Sequence, residues 1–262
     1  MATIDISLNG MAVICAMLLL PALVFRFLGL RLGRAMFTGA LRMTVHLTLV
    51  GLYLGYIFEL NNFFVNCAWL VIMIAVANAH IIRSAHLNVR HFFAGSFIAI
   101  FSGTATTLSL FVAIVIHPEP LYNARYLIPI GGMILGNCLR SNILTLERFF
   151  SSLQKNRKEY RTYLSLGATT FEAALPFARN ALGAAITPTV STMATMGIVS
   201  LPGMMTGQLL GGAVPPVAIK YQIAIMICIL TSSVITATLN ILLGIRLGFD
   251  GYGNMLDEVY RK

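Results

Sequence analysis

The chain has 262 residues, 58% of them apolar and only 10% charged, with a formal net charge of +9. A soluble domain carries roughly 25% charged residues, so these proportions exclude a soluble core enzyme and point to an all-α integral membrane protein. The positive charge sits in loops between apolar runs, which is the positive-inside pattern and not the basic surface of a nucleic-acid-binding domain.

The sequence predicts a first span over about Ile6 to Phe27. The first ten residues carry no basic cluster, so no cleavable leader is expected. Arg26, Arg31, Arg34 and Arg42 follow with no acid among them, which puts this loop in the cytoplasm and the N-terminus outside. A second span is expected over about Met43 to Leu60, where Gly51 and Gly55 would permit close helix contact. A third runs over about Phe63 to Ile82, and the next loop carries Arg83, His86, Arg90 and His91. His80, His86 and His91 invite a metal-entry reading, but their spacing does not stack them on one helical face.

A fourth span covers about Phe92 to Ile116 and ends in the turn His117 to Pro120. The fifth starts near Tyr126, with Gly132 and Gly136 expected to pack closely. Asn137 and Ser141 share a face of it, and Arg140 beside them either snorkels inward or lines a wet path. The segment of about 147–180 then leaves the membrane as the largest polar stretch, running from Glu147 to Arg179. Gly167 suits a helix stop, and Thr169 with Glu172 suits a capping box for a new short helix beginning near Thr170.

A sixth span is expected over about Ala184 to Leu210, interrupted at Pro202-Gly203. Gly203, Gly207 and Gly211 repeat every four residues, as a packing ridge would. The alternative is a gate, because a proline at membrane depth frees backbone carbonyls that survive only against protein or a wet cavity. A seventh span covers about Ala218 to Leu247, and Arg246, Arg261 and Lys262 place the C-terminal tail, 248–262, in the cytoplasm. Of 18 Lys and Arg, only Arg125 and Lys220 fall on the outer side, which supports seven spans with the N-terminus out and the C-terminus in.

Catalytic signatures are missing. No phosphate loop, HExxH or GxSxG occurs, so the chain is not expected to be an enzyme or to bind ATP itself. Cys15, Cys67, Cys138 and Cys228 lie singly in apolar runs and are expected to be buried small hydrophobes.

The run GIVSLPGMMTGQLLGGA followed by AIKYQI, together with SLGAT at Ser165 to Thr169, PTV at Pro188 to Val190 and IPIGGMILGN at Ile128 to Asn137, resembles the FetB-type permease family. Those proteins are membrane subunits of ABC transporters linked to iron export, with plant relatives linked to aluminium tolerance. The motifs cover the last half of the chain densely, while the first half matches in its pattern of spans. The resemblance implies one permease domain over 1–262 in a bacterial plasma (inner) membrane. It also implies pairing with a second copy, and a separate cytosolic ATPase subunit that holds ATP and Mg, with no cofactor bound by this chain. It further implies docking of that ATPase on the region of Gly167, Thr169, Glu172 and Arg179. EAA at Glu172 to Ala174 partly resembles the EAA loop of importer permeases, but Ala178 stands where a glycine would follow.

Metal cargo is likewise an implication of the resemblance. Met196, Met204 and Met205 could offer thioethers, which suit soft ions, or could simply fill gaps. Glu59, Asn137 and Gln208 are the oxygen and nitrogen donors available for iron. The stretch STMATM, Ser191 to Met196, departs from relatives that carry Asp or Asn and Lys there, so substrate or rate can differ. Two rivals remain: the same permease with a polar organic cargo such as a nucleotide sugar, and a seven-span receptor. A retinal Schiff base in a photoreceptor of that kind needs a lysine facing the core of the last span, whereas Lys220 lies at its outer edge.

Overall fold

The computed structural model describes residues 5–260, so the expected ends of the topology, the first four residues and the Arg261-Lys262 pair, lie outside the described residues. Short Asn- and Ser-headed turns start several helices. Ser7 caps α1 (Leu8–Ala16), which is followed by α2 (Leu19–Phe27) and α3 (Gly33–Leu60). Asn62 accepts from Phe64 N–H to start α4 (Phe63–Ser84), and Asn88 accepts from Arg90 N–H to start α5 (Val89–Leu110). A π-helical stretch, Phe111–Ile116, continues α5. Asn123 caps α6 (Ala124–Lys155), after which come α7 (Arg157–Ser165), α8 (Thr170–Thr195), α9 (Gly203–Leu210) and α10 (Pro215–Gly248). The apolar length needed for a bilayer is reached by six runs among the described residues, from Leu8–Phe27 to Pro215–Gly248.

The expected sixth span is built differently. It does not begin at Ala184 as an interrupted helix of its own. Its first part belongs to α8, which starts at Thr170 and runs without a break into the apolar stretch. No glycine stop separates the polar and apolar halves, and Pro176 and Pro188 are both held inside the helix. The interruption spans the turn from Met196 to Pro202, where Gly197 takes a positive φ of 85° and Met196 bridges to Ser200. Only α9 continues beyond it.

α5 and α6 hold α10 between them. On α5 the close approach uses Gly95 and Gly103, whose hydrogens face Leu247 and Thr236 of α10. α6 meets α10 through buried polar groups. Cys138 Sγ donates to Ser232 Oγ at 3.2 Å, Asn142 Nδ2 to Thr236 Oγ1 at 2.8 Å, and Asn240 Nδ2 to Asn142 Oδ1 at 2.6 Å. Pairing of this kind satisfies groups that hydrocarbon would leave orphaned. Cys138 is therefore a buried bridge. Cys15, by contrast, is exposed, and Cys67 and Cys228 are half-buried, so burial of all four does not hold; all are free thiols.

The glycine pairs expected to pack closely mostly do not. Gly51, Gly55 and Gly136 have nothing within 4 Å of a Cβ position, while Gly132 meets Met73 at 3.2 Å. The tight contact on α6 is one residue earlier, at Gly131 against Leu70 and Leu108. α1 and α2 bury no residue against the rest, and α3 joins it near its far end, where Ile57 packs with Ala124 and Ile128 and Tyr53 tilts against Trp69.

The polar segment shares one core with the inner ends of the spans. Phe149, Phe150 and Leu153 of α6, Tyr160 of α7, and Ala173, Ala174 and Phe177 of α8 pack with Ile81, Leu87, Phe92 and Val259. The C-terminal stretch straps this layer together. Asn88 N–H donates to the Val259 carbonyl at 2.9 Å, Tyr260 OH to the Phe150 carbonyl at 3.0 Å, and Tyr160 OH to the Gly253 carbonyl at 2.8 Å. Burial pushes the Tyr160 phenol up to about 12, so it stays a donor throughout the physiological range.

Candidate functional site

Two regions carry chemistry, and α8 joins them. The first is the elbow between α7 and α8. Gly167 turns the chain with a φ of 91°, a conformation that disfavours any residue with a Cβ. Thr169 then caps α8 reciprocally with Glu172. Glu172 N–H donates to Thr169 Oγ1 at 3.3 Å, and Glu172 Oε2 accepts from Thr169 N–H at 2.8 Å and from Thr169 Oγ1 at 2.7 Å. These bonds favour the carboxylate, and the backbone bond from Thr169 leads in holding Glu172 below the usual carboxyl range. Leu166 is 80% exposed and Phe171 46% exposed beside this cap, and Arg179 is exposed two turns on. The elbow thus presents apolar and charged groups together outside the apolar spans.

The second region is a groove of about 510 Å³ walled by α6, α8, α10 and the 196–202 turn. α6 supplies Asn137, Arg140 and Ser141, and α8 supplies Pro188, Thr189 and Thr192. Pro188 lacks the amide that would bond the Ala184 carbonyl within α8. The far end is formed by Met196, Ser200, Pro202, Gly203, Met204 and Gln222. Gln222 Nε2 lies 3.7 Å from Met196 Sδ, while its buried Oε1 has no partner.

Of the residues singled out in the sequence, Asn137, Met196, Pro202, Gly203 and Met204 come together here. Asn137 spends its Nδ2 on the Met133 carbonyl at 2.9 Å. Glu59 is exposed at the end of α3 and lies outside the groove. Met205 and Gln208 sit on α9 but do not line it, although Gln208 Oε1 is buried without a partner. Gly203 and Gly207 meet no neighbour within 4 Å, and Gly211 meets only carbonyls of its own turn, so the glycine ridge packs against nothing within this chain. Arg140 lines the groove wall.

The three loop histidines do not assemble. His91 is committed elsewhere, with Nε2 2.6 Å from the Leu247 carbonyl and Nδ1 3.6 Å from Glu258. Among the described residues no three His, Cys, Asp or Glu side chains gather in metal-binding geometry. Sequence reasoning missed Gln222, Thr189 and Thr192. The only signal for Gln222 was an amide seven residues past Pro215, just after Lys220 and Tyr221 at the head of an apolar run.

Comparison with known proteins decides the family. The description of the uncharacterised protein family UPF0014 matches residues 8–249. The chain belongs to the UPF0014 family. A UPF0014 membrane protein of Synechocystis is 36% identical over 204 residues, covering 78% of this chain and 78% of that one. The Arabidopsis thaliana protein ALUMINUM SENSITIVE 3 is 32% identical over 192 residues, covering 71% and 66%. The probable iron export permease protein FetB of Escherichia coli is also 32% identical over 192 residues, covering 73% of each. No solved structure matches. The FetB resemblance read from the LPGMM and SLGAT motifs is therefore a family relationship, and this UPF0014 protein is an all-α membrane protein. The groove falls within the matched region.

Proposed function

We propose that this UPF0014 protein is the membrane permease subunit of an ABC transporter that moves iron or another metal out of the cytoplasm. ATP, with Mg, is hydrolysed in a separate cytosolic subunit, and two copies of this chain form the pathway in the bacterial plasma membrane. One observation carries the reading: the capped elbow and the groove wall are parts of the single helix α8. A push on Leu166, Phe171 and Glu172 at one end displaces Pro188, Thr189 and Thr192 at the other, because a helix of this length transmits axial and lateral motion. The relative named as a probable iron export permease supports the cargo class.

A second cargo reading, a polar organic molecule, is favoured by the groove volume of about 510 Å³ and its hydroxyl and amide lining residues. Both are tested by uptake of radioactive iron into inside-out vesicles holding this chain and its ATPase partner. Uptake that requires ATP and both chains supports metal export. ATPase activity in an intact complex without iron uptake moves the organic cargo to first place. For docking, Leu166→Asp with Phe171→Asp is expected to abolish co-purification of the ATPase. Retained co-purification would remove the elbow from the interface.

A further inference from the structure

The turn that follows α10 is fixed by its own side chains. Asp250 Oδ1 accepts from the Tyr252 and Asn254 amides at 2.9 and 2.7 Å, and Asp250 Oδ2 accepts from Asn254 Nδ2 at 3.2 Å. Gly253 turns with a φ of 77°, and its carbonyl accepts from Tyr160 OH at 2.8 Å. A Cβ on Gly253 would lie 3.0 Å from Leu164 Cδ1 and 3.1 Å from Thr170 Oγ1, so the turn is seated on the end of α7 and the start of α8. This frame holds out Tyr252, which is 88% exposed. Leu166 follows Leu164 by two residues and Phe171 follows Thr170 by one, and both are exposed. Two distant stretches of chain thus bring exposed apolar side chains to one elbow.

Lipid does not account for that exposure. α10 has 34 residues and is about 51 Å long at 1.5 Å per residue. A bilayer with its headgroups is only about 40–45 Å thick. The turn lies beyond the end of α10, so Tyr252 stands in water. A rigidly presented aromatic in water is the residue type that anchors protein–protein contacts, and fixing it beforehand lowers the entropy lost on binding. The surroundings select the charge of the partner. Arg157 and Arg161 of α7 line the same crevice as Gly253 and Asn254, with Lys155 and Lys158 exposed beside them. Glu159, the acid on α7, is engaged by Tyr163 OH at 2.9 Å.

From this we infer that the 250–254 turn is a second docking element for the cytosolic ATPase subunit. Tyr252 enters an apolar pocket on that subunit, and Arg157 and Arg161 meet acidic residues at its rim. The inference rests on the permease reading and extends the interface from the α7–α8 elbow to the C-terminal turn. The strap ties this turn to the packed body through Tyr160 and Val259. The ATPase therefore holds the body at Tyr252 and pushes α8 at Leu166 and Phe171.

Binding of the purified ATPase subunit to the full chain in phosphatidylcholine nanodiscs tests it, read as Kd and association rate, with Tm confirming that each variant folds. Tyr252→Ala is expected to weaken binding about tenfold, and Tyr252→Phe to keep it within about twofold. Arg157→Glu with Arg161→Glu is expected to slow association severalfold at low salt and to flatten its salt dependence. A Kd unchanged in Tyr252→Ala, or an association rate indifferent to the two arginines, overturns the inference and leaves the permease reading standing. A wild-type chain that binds no ATPase overturns the permease reading itself. The membrane surface is tested separately, with a bimane label on Tyr252→Cys in a background lacking the native cysteines and no ATPase present. Nitroxide-bearing lipids are expected to leave the label unquenched. Strong quenching places the turn on the headgroups and overturns the inference.

Discussion

At the residue scale, the Thr169–Glu172 cap has a pH signature. Glu172 accepts two bonds in the folded helix start, and its folded pKa is lowered relative to an unfolded carboxyl. The cap's contribution is therefore full above the ordinary carboxyl range and is lost as pH falls through the lowered folded value. Amide exchange at residues 170–173 is expected to accelerate only in that acidic window, and Glu172→Gln is expected to remove the dependence. A flat exchange profile in the unchanged protein would contradict the cap. Close packing makes a second residue-scale prediction. A Cβ at Gly103 would lie 2.5 Å from Thr236 Cγ2 and 3.3 Å from the Thr236 backbone nitrogen. Gly103→Ala must separate α5 from α10, at a cost of about 1–3 kcal/mol, and is expected to lower the Tm in detergent. Gly183→Ala, where nothing lies within 4 Å, serves as the neutral control.

Residues differ in how much of their role can be read from sequence. Gly167, Thr169 and Glu172 were legible because caps and left-handed turns depend on neighbours within a few positions. Gln222 was not, since its significance depends on Met196, 26 positions away, and on a missing partner. Glu59 is an oxygen donor available for iron by residue type, but position along a helix does not say which helix stands opposite.

At the element scale, α8 departs most from expectation. Composition changes from polar to apolar near Ala184, and a hydropathy reading divides the chain there. Hydrogen bonding does not follow composition, so one helix serves both environments. The Pro202-Gly203 interruption was legible, because proline at that depth must release a carbonyl. Its extent, back to Met196, was not. The glycines of α9 make an element-scale prediction. Gly203 and Gly207 open onto empty space in one chain, and a small-residue face in a bilayer invites a second helix. Gly207→Leu is expected to leave the Tm of the single chain unchanged and to abolish crosslinking between copies. Undiminished crosslinking would move the interface elsewhere.

For the whole molecule, the ordering of layers suggests how work is transmitted. α4, α5, α6 and α10 form a packed body held by the α5 glycines and the α6–α10 polar bridges. The C-terminal strap ties that body to the elbow layer through Asn88, Phe150 and Tyr160. α8 is anchored in the elbow layer by Ala173, Ala174 and Phe177, and its other end borders the groove. On the proposed coupling, a force on the elbow would be resisted by that body and delivered to the groove end of α8.

The most direct test is the alkylation rate of a cysteine placed by Thr192→Cys in a background lacking the native cysteines, in the complex with its ATPase. The account predicts that ATP changes this rate severalfold, and that three glycines inserted after Leu182 abolish the change without preventing docking or ATP hydrolysis. A rate that ignores ATP while the docked ATPase turns over would contradict the claim that α8 couples the elbow to the groove.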